Sequence, residues 1–139
     1  MGTTVITYLP FKTECEAAVN AYIKAFGGEI LFMSRWSGEN SSDPGRHGKV
    51  MHTEFMIGET RLAAGDTFED ITDRAMKLMI HTPGRDRAEE AIAVLAAGGD
   101  VLSPLAPHPK PDDGGMGCIV RDSFGVTWII TCPNPDKTE

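Results

Sequence analysis

One short motif occurs twice in this chain and restricts its fold more than any other feature. Gly27-Gly28-Glu29-Ile30-Leu31 returns as Gly98-Gly99-Asp100-Val101-Leu102, at an offset of 71 residues. Near the end of each copy, Gly58-x-Thr60-x-Leu62 matches Gly125-x-Thr127-x-Ile129 at an offset of 67. Glycine pairs are common at helix ends, but their repetition in the same order favours an internal duplication over an ordinary α+β meander.

The first copy has the pattern of a strand, a helix and three more strands. An apolar run at 5–11 precedes apolar positions at helical spacing. We expect this helix to begin with a capping box, in which Thr13 is the N-cap and Glu16 lies three residues later. A strand at 29–36 and an exposed loop at 37–48 follow, and a tight hairpin closes the copy.

The second copy repeats this order, with a Pro-rich loop predicted at 104–117. We therefore predict an α+β fold of two tandem β-α-β-β-β modules. Module one covers about 4–66 and module two about 74–132, within a single domain of residues 1–139.

Composition excludes several classes of partner. The chain has 139 residues, 41% of them apolar, and a net charge of −7. This acidity argues against nucleic-acid binding and against adhesion to anionic membranes, and no apolar run is long enough to span a bilayer. The first residues do not resemble a signal peptide, and the three cysteines show no metal-ligand spacing. We therefore expect a cytoplasmic protein with free thiols.

Longer motifs in the same order resemble the vicinal-oxygen-chelate (glyoxalase/bleomycin-resistance/dihydroxybiphenyl dioxygenase) superfamily. Within it the chain is similar to the PhnB-like family, sometimes labelled demethylubiquinone methyltransferase-like. The segments that carry the resemblance are Tyr8-Leu9-x-Phe11, Cys15-Glu16-Ala17-Ala18, Tyr22-x-x-Ala25-Phe26-Gly27-Gly28-Glu29-Ile30, Val50-Met51-His52-x-Glu54-x-x-Ile57-Gly58 and Asp122-x-Phe124-Gly125-Val126-x-Trp128.

The resemblance implies a glyoxalase-like fold, in which open U-shaped sheets from the two modules enclose a cavity. It also implies a homodimer. The methyltransferase label carries little weight, because the sequence lacks the Gly-rich strand-turn-helix motif of a Rossmann-type cofactor site. We expect no cofactor.

Metal-using members of the superfamily hold a divalent ion on four side chains from the first and last strands of both modules. The residues at these positions here are Thr7, Leu62 or Ala63, Lys77 and Ile129, with an uncertainty of about one residue. None offers the carboxylate, imidazole or thiolate that such ions prefer. The sequence therefore predicts no metal site of the usual kind.

Alternation along 49–57 places His52 and Glu54 on the side of the strand that faces the cavity. A carboxylate beside an imidazole holds one tautomer, so this pair is our candidate for acid-base catalysis. The same two side chains are also candidate ligands of an atypical metal. The alternative is a structural pair on a solvated face or at the dimer seam.

Six further residues are predicted to contact a ligand. Trp36, Met56 and Trp128 supply adaptable apolar surface, while Asp66 and Lys77 supply charge. The sixth is Thr7, on the first strand.

Three functions fit these features. The first, which we favour, is binding of a small, partly apolar molecule in the cavity without a metal. The second is an isomerase, lyase or dioxygenase with a nonstandard His52/Glu54 site. The third is a protein-interaction module in which the cavity has collapsed.

Overall fold

The computed structural model describes residues 2–72 and 74–137, and in these it contains two α-helices and eight strands. The chain divides into two compact units, Met1–Thr72 and Asp73–Glu139. The first unit contains β1 (Thr7–Phe11), α1 (Cys15–Phe26), β2 (Gly28–Arg35), a 3₁₀ turn (Pro44–Arg46), β3 (Val50–Ile57) and β4 (Thr60–Asp66). The second contains β5 (Lys77–His81), α2 (Arg85–Ala96), β6 (Asp100–Pro107), β7 (Gly115–Arg121) and β8 (Thr127–Pro133).

Each unit forms one four-stranded mixed sheet. The strand order is β1-β4-β3-β2 in the first sheet and β5-β8-β7-β6 in the second. The first strand of each unit runs parallel to the last, and the other neighbours are antiparallel. The predicted α+β fold of tandem β-α-β-β-β modules is confirmed. Modules 4–66 and 74–132 each lie inside one unit, and their union in a single domain stays a prediction.

One face of each sheet is buried beneath its helix. In the first unit α1 packs on β3 and β4, and Tyr22, Phe11 and Phe55 are fully buried. In the second, α2 packs on β7 and β8 above Val120 and Ile130. We call the opposite face of each sheet its open face. No helix within the described residues is long and apolar enough to cross a membrane.

The repeated glycine pairs have a steric cause. A Cβ atom on Gly28 would collide with the carbonyl oxygen of Met56, and one on Gly99 would collide with that of Arg121. In both units the backbone entering the second strand of the module therefore approaches its neighbour too closely for a side chain. This shared constraint makes the two motifs structurally equivalent.

The second sequence match does not mark equivalent positions. Leu62 pairs with Phe55 and is buried on the helix side of the first sheet. Ile129 pairs with Ile119 and lies on the open face of the second sheet. An offset that differs by one residue reverses the face of every side chain, so the match at 67 is misleading.

Two local predictions were wrong. The N-cap of α1 is Glu14, whose side chain makes no capping bond, and the amide of Cys15 instead donates to Asp66 Oδ1 at 2.9 Å. The long-range acceptor on β4 replaces the predicted capping box of Thr13 and Glu16.

The Pro-rich segment 104–117 is not a loop throughout. β6 continues to Pro107, and β7 already begins at Gly115. Prolines are tolerated here because β6 is an edge strand with register shifts, where a missing N–H removes few ladder bonds.

Candidate functional site

The open face of the first sheet carries the predicted polar pair. From His52 onward, side chains of β3 alternate between half-buried positions at His52, Glu54 and Met56 and buried positions on the helix side. Regular alternation would put Val50 on the same side as His52, yet Val50 is fully buried. The register shift between Ser34 and Arg35 on β2 interrupts the alternation at this point.

His52 and Glu54 form a directed hydrogen bond. The Nε2 atom of His52 lies 3.0 Å from Glu54 Oε2, and the two side chains are 38% and 19% exposed. Arg61 on β4 donates its Nε–H to Glu54 Oε1 at 2.6 Å. The hydrogen bond from His52, together with that from Arg61, lowers the pKa of Glu54 below its usual range. An ionised Glu54 accepts from Nε2–H, which leaves Nδ1 of His52 as an acceptor.

Two aromatic rings flank the imidazole of His52. The Tyr8 ring is stacked on it at 6.2 Å between centroids with an interplanar angle of 13°, and Phe32 lies at 5.7 Å and 39°. Both aromatic side chains are nearly half exposed. The hydroxyl of Tyr8 lies above Gly65, where a Cβ atom would approach it to 2.5 Å. The absent side chain thus leaves room for the ring, and partial burial raises the pKa of Tyr8.

Sequence reasoning missed Tyr8, Phe32 and Arg61. The position of Arg61 could have been predicted, because the two-residue turn at Gly58-Glu59 places Arg61 opposite Met56. The side chain of the predicted Thr7 is directed to the other face, since Thr7 pairs with the buried Leu62. Tyr8 therefore takes the place that we assigned to Thr7.

Asp66 has a structural role at the start of α1. It is buried, and its two carboxylate oxygens accept hydrogen bonds from the amides of Cys15 at 2.9 Å and Val50 at 3.0 Å. Burial raises the pKa of Asp66, against the effect of these hydrogen bonds. Asp66 also borders an open cavity of about 540 Å³ beside α1, lined by Thr13, Glu14, Glu16, Ala17, Asn20, His47, Gly48, Lys49, Val50 and Asp66.

Trp36 belongs to a separate cluster beside the 37–48 loop. Its ring meets Phe68 edge-on at 6.1 Å, and the guanidinium of Arg46 lies 5.8 Å from Trp36 and 4.7 Å from Phe68. Phe68 has a φ of 65°, a left-handed conformation that is costly for a bulky residue. Trp36 Nε1 is buried and has no hydrogen-bond acceptor among the described residues.

The two predicted ligand residues of the second unit lie on opposite faces of its sheet. Lys77 is exposed on the open face and pairs with Thr127. Trp128 is 2% exposed on the helix side, and its indole N–H donates to Asp122 Oδ2 at 2.9 Å. Among the predicted ligand residues, the structure thus brings only Met56 onto the open face with His52 and Glu54.

The strand register changes which residues of this chain correspond to the metal-holding positions of the superfamily. Counting across each sheet from the glycine pairs, the open-face positions on the first and last strands are Tyr8 and Ala63 in the first unit and Met79 and Ile129 in the second. Tyr8 lies one residue from the expected Thr7, and Met79 lies two residues from the expected Lys77. These side chains do not fit a divalent ion, and the described part of the chain contains no cluster of three His, Cys, Asp or Glu arranged for one.

The cysteines are not suited to nucleophilic chemistry. Cys15, Cys118 and Cys132 are all free and buried. Burial, followed by the nearby Asp66, raises the pKa of Cys15 to about 12, and burial also raises the pKa of Cys118 and of Cys132. At neutral pH these thiols are protonated and therefore weakly nucleophilic.

Two successive β-α-β-β-β units with this strand order define the glyoxalase-like fold of the vicinal-oxygen-chelate superfamily. The PhnB protein from Bacillus cereus matches with a TM-score of 0.80 and 25% identity, over 94% of this chain and 99% of that one. Protein PA1353 from Pseudomonas aeruginosa matches with a TM-score of 0.76 and 26% identity, over 95% and 98%. The fosfomycin resistance protein FosX from Listeria monocytogenes, solved with Mn(II), shares the fold at a TM-score of 0.64 and 11% identity, over 98% and 95%.

The chain belongs to the PhnB-like family described as 3-demethylubiquinone-9 3-methyltransferase, whose model matches residues 3–131. No curated protein matches the chain. The turn from β1 to α1 runs through Lys12, Thr13 and Glu14, and it has none of the glycines of a Rossmann-type phosphate loop.

Proposed function

We propose that the open face of the first sheet binds a small, partly apolar molecule without the usual divalent metal or any other cofactor. The observation that carries this proposal is the placement of His52 between the half-exposed rings of Tyr8 and Phe32. Flat aromatic surface next to one oriented polar group is typical of small-molecule sites. The fixed Glu54 and Arg61 orient the imidazole.

The geometry suggests what such a ligand needs. Its apolar part would lie on the rings of Tyr8 and Phe32. A hydroxyl or N–H of the ligand would donate to Nδ1 of His52, because Nε2 is already engaged by Glu54. We therefore expect a flat ligand with one donor to bind better than the same ring system without it.

1-Naphthol and naphthalene test this expectation, because they differ only in the hydroxyl. In NMR titrations, 1-naphthol should shift the amide signals around Tyr8, Phe32 and His52. His52→Phe keeps the ring and removes the acceptor, so it should weaken 1-naphthol binding about three- to tenfold and leave naphthalene binding unchanged. His47→Phe, at an exposed histidine, is the matched control. Equal affinities of His52→Phe and wild-type protein for 1-naphthol would refute the proposal.

The second candidate is an isomerase, lyase or dioxygenase that uses His52 and Glu54 as an acid-base pair or as an atypical metal site. The 3.0 Å hydrogen bond between them favours it. A metal site is testable with Mn²⁺, which should broaden the amide signals of β3 first and should do so far less in Glu54→Gln. Broadening that is unchanged in this variant would exclude the metal version of the candidate.

We also propose a homodimer. Both β2 and β6 are edge strands, and each exposes an aliphatic pair at the repeated position, Ile30-Leu31 and Val101-Leu102. Exposed apolar edge strands favour pairing with another chain. Light scattering should give twice the mass of the chain, and Leu31→Lys or Leu102→Lys should shift the mass toward the monomer.

We also propose a cytoplasmic location. The three free, buried cysteines support it.

A further inference from the structure

The open face of the second sheet is basic in an acidic protein. Lys77 on β5 and Arg121 on β7 lie in one row, with Thr127 of β8 between them. Neither cation forms an ion pair with a described residue. The open-face positions of β5, β7 and β8 include no Asp or Glu, although the chain has a net charge of −7. The carboxylate beside this row is that of Asp100 on β6, opposite Arg121.

The two cations are suitably spaced to share one anionic group. They stand two strand spacings apart, roughly 10 Å between Cα atoms. Both side chains are long enough to converge over Thr127, whose own side chain is short. Charge-assisted hydrogen bonds from lysine and arginine are the usual means of holding a carboxylate or phosphate.

Residues paired across the strands form rows on this face. The row next to that of Lys77 and Arg121 is apolar, and the one after it is polar. Met79 and Ile129 occupy the row beside the cations, and Met79 is 69% exposed. In the following row, Thr131 Oγ1 donates to the carbonyl of Ile80 at 3.4 Å and lies 2.9 Å from His81 Nδ1. The hydroxyl therefore accepts from Nδ1–H, which leaves Nε2 of His81 as an acceptor.

We propose that this face is a binding site for a small organic anion. The carboxylate or phosphate lies between Lys77 and Arg121, and the apolar body covers Met79 and Ile129. From the row of Lys77 to that of His81 the strand advances about 13 Å, which accommodates a chain of about six to eight carbons. The residues that carry this proposal all belong to the second unit, so their variants test it separately from the function proposed for His52.

The test uses hexanoate, hexyl phosphate and hexanol, which share the apolar chain and differ in the head group. In NMR titrations the two anions should shift the amide signals of β5, β7 and β8 and bind more tightly than hexanol. The stronger of the two identifies the head group. Lys77→Gln and Arg121→Gln should each weaken anion binding at least about threefold. Lys24→Gln, at an exposed lysine on α1 without an ion pair to a described residue, makes the same charge change elsewhere and should have no effect.

Two further variants sharpen the test. Asp100→Asn removes the competing carboxylate beside Arg121, so it should strengthen anion binding. Met79→Ser should weaken hexanoate more than acetate. The proposal is overturned if neither anion shifts these strands, if hexanol binds as tightly as the anions, or if Lys24→Gln weakens binding as much as Lys77→Gln.

Discussion

Replacing Asp122 by Asn tests the role of the carboxylate that holds the β7–β8 turn together. Its Oδ1 atom accepts from the amides of Phe124 at 2.9 Å and Val126 at 3.0 Å. Its Oδ2 atom accepts from the indole of Trp128 at 2.9 Å, and the carboxylate is almost completely buried. These contacts explain why Trp128 is a core residue. They also give a physical reason for the residue pattern of the segment Asp122–Trp128.

The asparagine amide retains one oxygen for the two backbone donors and turns an NH₂ group toward Trp128. One hydrogen bond to a charged acceptor is lost, which is worth about 1.5–3 kcal/mol, and a buried indole N–H is left without an acceptor. Rotating the amide does not help, because the NH₂ group then meets the two backbone donors. We therefore expect Asp122→Asn to lower the free energy of unfolding by about 2–4 kcal/mol.

Urea unfolding followed by circular dichroism measures this loss, and Trp128→Phe completes a double-mutant cycle. Phenylalanine removes the indole N–H, so Asp122→Asn should cost at least about 1 kcal/mol less in that background. Asp136→Asn, at an exposed carboxylate, is the matched control for charge. A loss below about 0.5 kcal/mol, or an equal loss in both backgrounds, would refute the reasoning.

Three further predictions concern the first unit. Asp66→Ala leaves the buried amides of Cys15 and Val50 without their acceptor, so the free energy of unfolding in urea should fall by about 2–4 kcal/mol; an unchanged value contradicts this role. Because burial raises the pKa of Cys15 to about 12, iodoacetamide near neutral pH should alkylate this thiol only after denaturation, and alkylation of the folded protein would count against it. Hydrogen bonding from His52 lowers the pKa of Glu54 in the folded protein. The ionised Glu54 therefore contributes to stability above its unfolded pKa of about 4.3. That contribution is lost as the pH falls through the lower pKa of the folded state. Wild-type protein should therefore be more stable than Glu54→Gln at neutral pH and equal to it in acid, as measured by unfolding across that range; a constant difference would show that the charge of Glu54 is not involved.

The candidate site shows how far local patterns reach. Alternation along β3 was sufficient to place His52 beside Glu54, because two residues along a strand return to the same face. It was not sufficient to find Tyr8 or Phe32, since these rings come from strands whose register the local pattern does not contain. The same limit explains Thr7, where an error of one residue reversed the face.

The sequence by itself determined the duplicated β-α-β-β-β plan. Its glycine pairs stand where a side chain would collide with a neighbouring strand, and such a requirement is visible as the same residue type in both copies. Tertiary structure alone decided which polar groups face outward together. We predicted ligand contacts for Asp66 and Trp128, yet both side chains make hydrogen bonds within the protein. A buried backbone amide needs an acceptor, and so does a buried indole. Those needs depend on which strands become neighbours, and that depends on the register of the whole sheet.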